Sequence, residues 1–515
     1  MQKQQKHKIA AAIDIGSSVV RMHISQWDGR KVAILDKLEK PTQIGKEVFS
    51  TGYISFETVR SLSEILSGFC EKAREYGIVT VHTIASTALR EASNQAYILD
   101  HLSTRNKLDV RVFEDTESSA LLIDAMKTVS NISAGKSLLI YGGTGTTDFE
   151  LLQNGGLILS HSVQTGLLKI AEMLKEASDF SRHLDYMAEE YLNTVLTREN
   201  RVRDLLETDE IIFGAGNLQP LFKLFGNPSE SGLNIQSGAL SEIYGEYRSL
   251  SVEQICVRHG FQIQQGEILY AMLTLLAALF RVAKTENIFC MQMSLADAML
   301  NYLLKPDSHK KHNENLYAGA ASSALDLAAR YRCHIKHCVH TAEIALGIFE
   351  KLKKAFDFTK KQKLLLHIAC ILHESGHYVN SGDVQEASFN LLKDARIYGL
   401  SSRETLLAAN IVAPQSLLGV TRALRGSMIA GEDILFAAKM YALLQLSDAL
   451  DYSHKQKAGL RDLTLENDSL VISVQIREDF TLERWMFREK AELFQEIFGI
   501  TTRLKINNIY HSEEK

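Results

Sequence analysis

The sequence is short of proline, with five in 515 residues. Proline removes a helix hydrogen bond, so its scarcity suits long helices. Cysteine is sparse as well. The six, at 70, 256, 290, 333, 338 and 370, form no CxxC pair. That excludes a disulfide framework and reads as reduced core thiols of a cytoplasmic protein. Neither sign of charge dominates, since 57 basic residues face 62 acidic ones for a net of −5. Such a surface draws no polyanion globally, which excludes broad nucleic-acid binding and requires a local site for any anionic ligand. Long hydrophobic runs are missing too. The longest, Ile268 to Phe280, is closed by Glu267 and Arg281. It falls short of the roughly 20 residues that cross a bilayer and reads as a buried helix, with no membrane partner. The basic start (MQKQQKHK) precedes too few apolar residues for a signal sequence.

What is present is ordinary globular material, 45% hydrophobic and 23% charged. The length predicts two to four domains. Ile9–Asp14 and Val20–Ser25 read as strands around a Gly16-Ser17-Ser18 turn, and Lys31–Leu38 extends the meander. Thr58–Glu75 has a helical apolar period, Val79–Ile84 reads as a strand, and Thr87–Glu91 opens a helix. The plan then restarts. Ser137–Tyr141 is a buried-strand run, Gly142–Thr147 a turn, Phe149–Gln153 and Leu157–Val163 strands, with a helix from about Gly166. Two halves of like plan suggest a duplicated α/β unit. Ile211–Phe213 leads into a third glycine turn, Gly214-Ala-Gly-Asn217. From Ile268 to about Ser453 the patterns are helical, broken by a linker-like stretch from Lys305 to Asn315 with the basic run His309-Lys-Lys-His312. Leu463–Val474 alternates and Leu482–Ile497 is helical, which predicts a small α+β tail.

Asp14-Ile-Gly-Ser-Ser18 places a carboxylate at a strand end before a hydroxyl-bearing glycine turn. Such a turn aims backbone N–H groups into one space, where they bind phosphate, and Asp14 suits a Mg2+ that shares the phosphate charge. The plain alternative is a hairpin turn with a solvated Asp. Gly142-Gly-Thr-Gly-Thr-Thr-Asp148 repeats the device in the second half. Two such hairpins and the Gly214–Asn217 loop together would line one cleft.

With these motifs in order, the chain resembles the exopolyphosphatase/guanosine pentaphosphate phosphohydrolase family of the actin-like superfold. AAIDIGSSVVRMHI (11–24) is similar to the family's AxDLGSNSxR opening, with Asp14, Gly16, Ser17 and Arg21 matching. TIASTALREASN (83–94) resembles its ATxAxREAxN segment, with Arg90 and Asn94 in place. GGTGTTDFEL (142–151) resembles DxGGGSTEL, Thr165–Lys169 the LGAVR stretch, and LERWMFREKAELFQEIFG (482–499) the last segment. The resemblance implies Mg2+- or Mn2+-assisted attack of water on a terminal phosphoryl group of polyphosphate or pppGpp. It implies Asp14 and Asp148 as metal ligands, and Ser17, Ser18, Arg21, Arg90, Gly143, Thr144, Gly145, Thr146, Thr147 and Lys169 as phosphate contacts. Four positions depart. The family's general base falls on Ser118, the Asp of its second turn on Tyr141, that turn's second glycine on Thr144 and its Glu on Asp148. Serine has no useful basicity at neutral pH, so the adjacent Glu117 is the expected substitute.

A second constellation is rich in histidine: His334, His337, His340, His373-Glu374, His377 and Asp448, all within apolar-periodic helices. His373 and His377, four apart, belong on one helical face. The arrangement resembles the H…HD…D pattern of HD-type helical domains, with His337, His373, Glu374 and Asp448 on the matching positions as a second divalent-metal set. A packing domain with metal-free histidines is the alternative, since Gly382–Ser388 replaces the further histidine cluster of that pattern.

The expected architecture is α/β plus all-α. Two actin-like (ribonuclease H-like) subdomains occupy 1–130 and 131–303, a helical HD-like domain 316–455, and an α+β tail 456–515. The expected function is phosphoanhydride hydrolysis on polyphosphate or pppGpp by a homodimer. The alternatives are a catalytically impaired member that binds these ligands as a regulatory protein, and hydrolysis in the HD-like domain.

Overall fold

In the computed structural model, the described residues are 8–508 apart from 86, 130, 131, 133, 134, 164, 179–189, 191–193, 195–207, 230, 248, 249, 284, 413–430 and 467. Every candidate site residue lies among them. The chain forms two compact units, Met1–Gly319 and Ala320–Lys515.

The first unit carries two sheets. One contains β1 (Ile9–Ile15), β2 (Val19–Trp27), β3 (Val32–Pro41), β4 (His82–Ala85) and β5 (Val110–Val112), in the order β3-β2-β1-β4-β5. The other contains β6 (Lys136–Gly142), β7 (Thr147–Gln153), β8 (Gly156–Val163), β9 (Glu210–Ala215), β10 (Leu233–Gln236) and β11 (Asn287–Gln292), in the order β10-β11-β9-β6-β7-β8. Read from β8, the first five strands of the second sheet repeat the first sheet, and β10 adds an antiparallel edge strand. In each, two antiparallel pairings are followed by two parallel ones. The central strands are buried along nearly their whole length because helices cover both faces, which explains their continuous apolar runs.

Helix Phe56–Glu75 starts where the Ser55 hydroxyl accepts the Thr58 N–H, and it buries Val59, Leu62, Leu66 and Phe69 on one stripe. Helix Ile263–Ala283 is long and apolar enough to cross a membrane by length and composition, but 67% of its most apolar window is buried inside the protein. Leu269, Leu273 and Leu276 place it in the core of the second sheet.

Three local expectations change. The strand expected from Val79 begins at His82, and Val79 stands out in solvent. Gly214 and Ala215 still belong to β9, so the third turn is only Gly216–Asn217. The Lys305–Asn315 stretch is no linker. Helix Ser308–Arg330 runs through it, and Asn315 donates to Asp124 Oδ1 at 2.7 Å on helix Asp115–Val129. Helix Leu295–Leu304, expected as the end of the second subdomain, packs back on β1, β2 and helix Asp115–Val129. Ser294 and Asp297 cap it reciprocally, and Asp297 also binds His23 of β2 (Nδ1–Oδ1 2.7 Å).

The second unit is helical with one three-stranded sheet. Helices Ile335–Leu352, Lys360–Leu372, Ser402–Val412 and Gly431–Ala449 pack on one another. β12 (Ala458–Glu466), β13 (Ser469–Ile476) and β14 (Thr501–Asn508) stand in that order, and helix Thr481–Phe498 links the parallel pair β13 and β14. Gly347 lets β12 close on helix Ile335–Leu352, since a Cβ there would lie 2.9 Å from Leu460 Cδ2.

Candidate functional site

The two glycine turns of the first unit are built alike. Gly16 N–H donates to Val19 O at 3.1 Å, and Gly143 N–H donates to Thr146 O at 2.9 Å. The residues facing each other below the turns are Asp14 and Arg21 in one hairpin, Tyr141 and Asp148 in the other. Tyr141 therefore stands where the first hairpin has its acid, and Asp148 where the first has its cation. Both turns open on one cavity of about 910 Å³. Asp14, Ser17, Ser18 and Arg21 line it from the first hairpin, and Gly143, Thr144, Gly145, Thr146 and Asp148 from the second. Gly216 and Asn217 contribute the third turn. Gly166 holds the second turn in place. A Cβ on it would meet Thr144 O at 2.3 Å.

The polar groups on the floor are buried. Asp14 is 6% and Asp148 4% exposed. Burial pushes the Asp14 carboxyl above its ordinary range, and Arg21, with Nη1 3.9 Å away, offsets only part of that. The Arg21 Nε is itself engaged with Glu39 at 2.9 Å. Ser17 has a buried hydroxyl with no hydrogen-bond partner among the described residues. Tyr141 donates to Met293 O at 3.2 Å, and burial pushes its phenol upward.

Four expected contacts lie off the cavity wall. Glu117 is turned away. One carboxylate oxygen takes Arg111 at 3.0 Å and the other accepts the Glu114 N–H at 3.1 Å. Three-residue spacing explains it, because Asp115, Ser118 and Leu122 are the positions of that helix that face the cavity. Arg90 is spent on the same helix, with Nη2 2.9 Å from Asp115 and Nη1 donating to Phe113 O. Lys169 is exposed, whereas Leu168 and Glu172 beside it reach the cavity. Thr147 donates to Thr165 O at 2.7 Å and acts as a brace behind the turn. Thr87 and Asp115, which sequence reasoning passed over, line the wall beside Ser118, whose hydroxyl has no partner among the described residues.

The second unit brings together part of its expected set. His337 Nε2 lies 3.0 Å from Asp448 Oδ1, and His373 Nε2 lies 3.5 Å from the same oxygen and 3.3 Å from His337 Nε2. Glu374 groups with His337 and His454 instead of with His373 and Asp448. It accepts the His334 N–H at 3.1 Å and pairs with His454 Nε2 at 3.3 Å. His373 and His377 share no helical face. The helix ends at Leu372, a 3-10 turn follows from Ser375 to Tyr378, and His377 is exposed. Asp451 and His454 were missed. Asp451 accepts from His337 Nδ1 at 2.9 Å, and His454 stacks on the His337 ring with centroids 3.8 Å apart. Their spacing after Asp448 was the available signal, at three and six residues.

Residues 321–496 match the model of the Ppx/GppA phosphatase, domain III. Over these residues the chain resembles the Ppx/GppA phosphatases. A guanosine-5'-triphosphate,3'-diphosphate pyrophosphatase from Photobacterium profundum is 18% identical over 425 residues, 80% of this chain and 81% of that one. The crystal structure of the Aquifex aeolicus Ppx/GppA family member matches with a TM-score of 0.51 at 17% identity, over 60% of this chain and 99% of that one. An exopolyphosphatase from Cytophaga hutchinsonii ATCC 33406 gives 0.51 at 15% identity, over 57% and 97%. The Ppx/GppA fold accounts for the duplicated sheets, and its third domain covers most of the second unit.

Proposed function

We propose that the first unit hydrolyses a terminal phosphoanhydride bond, on a guanosine nucleotide of the pppGpp type or on linear polyphosphate. The convergence of two equivalent hydroxyl-bearing turns on one cavity carries this reading. Turn amides and the Ser17 and Thr146 hydroxyls offer the donors that a phosphoryl group needs. Asp14 and Asp148 supply hard, buried oxygens, and a carboxyl raised by burial is one that a hard cation relieves. The donor set therefore fits Mg2+ or Mn2+. The ion's contribution, when bound, is to neutralise charge on the leaving phosphate.

The chain's own residues position the attack. Asp115, held by Arg90 and the Thr87 hydroxyl, is the carboxylate beside Ser118 on the helix face toward the cavity. It orients the water in place of a base at 118. The charge on the wall supports one substrate over the other. Among the described residues it carries Arg21 and Lys46 against Asp14, Glu39, Asp115, Asp148, Glu172 and Glu267. Such a wall disfavours a long polyanion, and a short metal-chelated nucleotide suits it better.

Phosphate release measured with pppGpp, ATP and long-chain polyphosphate, with and without Mg2+, tests this. Mg2+-dependent release, fastest on pppGpp, is expected. Ser118 favours a second reading, a member that binds the nucleotide without turnover. Binding with no release at high enzyme would select it, and loss of both would remove both readings.

A further inference from the structure

We infer that Cys333 and Cys338 form a site of oxidative modification, a thiol pair that hydrogen peroxide converts into a disulfide. Neither side chain lines the cavity of the first unit, so the inference is independent of phosphoanhydride hydrolysis.

Of the six cysteines, Cys333 is the one that is not buried. It lies in the short bend between helix Ser308–Arg330 and helix Ile335–Leu352, and its N–H donates to Ala328 O at 2.9 Å. His334 is the N-cap of the second helix. Cys333 therefore precedes the cap, and Cys338 is the fourth residue inside the helix. Side chains at those two positions meet across a helix start, ordinarily as an apolar staple. Here the staple is made of two thiols, and they hydrogen-bond each other. Cys338 is fully buried, and its Sγ also lies 3.6 Å from Glu374 Oε2.

The two sulfurs are unequal. Burial pushes the Cys70, Cys256, Cys290 and Cys370 thiols up. Cys333 moves the other way, because the Cys338 thiol donates to its sulfur. Cys338 moves up, first through that same hydrogen bond and then through burial. An accessible sulfur that favours the thiolate, beside a sealed one that keeps its proton, pairs an attacking cysteine with a resolving one.

The chemistry closes with hydrogen peroxide as the oxidant. The Cys333 thiolate attacks one peroxide oxygen, the O–O bond breaks, hydroxide leaves, and Cys333 becomes a sulfenic acid. The Cys338 sulfur then attacks the Cys333 sulfur. The S–O bond breaks, the departing hydroxide takes the Cys338 proton as water, and the S–S bond forms. Peroxide gains the two electrons that the thiol pair loses.

The test exposes the reduced full chain to hydrogen peroxide, blocks remaining thiols with N-ethylmaleimide, and digests with trypsin without reductant. Cleavage after Arg332, Lys336 and Lys351 places the two cysteines on separate peptides, 333–336 and 337–351. Mass spectrometry should find these peptides joined, lighter than their sum by two hydrogens, and separated again by dithiothreitol. The linkage should form about 10-fold or more faster than any change at the other four cysteines. Cys338→Ser should leave Cys333 as a sulfenic acid that dimedone captures, whereas Cys333→Ser should leave Cys338 unmodified at the same dose. Free thiols at both positions after peroxide overturn the inference. So does Cys333 sulfinic acid beside a reduced Cys338, or a Cys333→Ser protein that oxidises Cys338 at the parent's rate.

Discussion

At the scale of single residues, the proposed function rests on Asp115, which lines the cavity, rather than on Glu117. Glu117→Gln should leave kcat within about twofold of wild type, because its partners are Arg111 and a backbone N–H rather than substrate. Asp115→Asn should lower kcat by about 100-fold, the usual worth of an acid–base or water-orienting group. Ser118→Glu should raise phosphate release by about 10-fold or more, since it returns a base to a position already on the wall. Steady-state phosphate assays on the three variants separate these outcomes. A pH effect belongs to Asp297. Burial raises its pKa, but the His23 hydrogen bond and charge outweigh burial and hold it down to about 2. Its contribution is present above the ordinary value of 3.8 and is lost as pH falls through about 2. Asp297→Asn should cost about 2–3 kcal/mol at neutral pH and flatten the acid limb of the unfolding curve, read by circular dichroism.

At the scale of elements, much was legible. Strand and helix positions followed from apolar period, and both glycine hairpins were found from glycine, hydroxyl and carboxylate spacing. Failures came where tertiary packing overrides local composition. The polar run at 308–315 becomes helix because Asn315 and its neighbours find Asp124 on another helix. Glu117 and Lys169 were misread because adjacency in sequence says nothing about which face of a helix meets the cavity. Glu374 lies with His337 and His454 rather than with His373 and Asp448, because a motif gives residue types, whereas its partners come from segments distant in sequence. Packing also makes one glycine critical. Gly166→Ala should displace the second turn through Thr144 O and cut activity by about 10-fold or more with little loss of Tm, measured by phosphate release and calorimetry.

At the scale of the whole molecule, an almost balanced net charge conceals a cavity whose charged lining, among the described residues, is mainly acidic. Long-chain polyphosphate should therefore compete poorly with the nucleotide, and the competition should improve as Mg2+ rises, which an inhibition series at fixed pppGpp would show. The mirrored hairpins carry one more implication. Asp14 has a guanidinium across the ladder from it, whereas Asp148 has a phenol. Replacing that phenol by an acid, as Tyr141→Asp, would seat a third carboxyl on a buried floor where the Arg21 cation already faces Asp14 and Glu39, and would strip Met293 O of its donor. The engineered acid would hold a proton at neutral pH rather than serve as an anion. Rebuilding a more familiar catalytic floor would thus require a compensating cation in the same step.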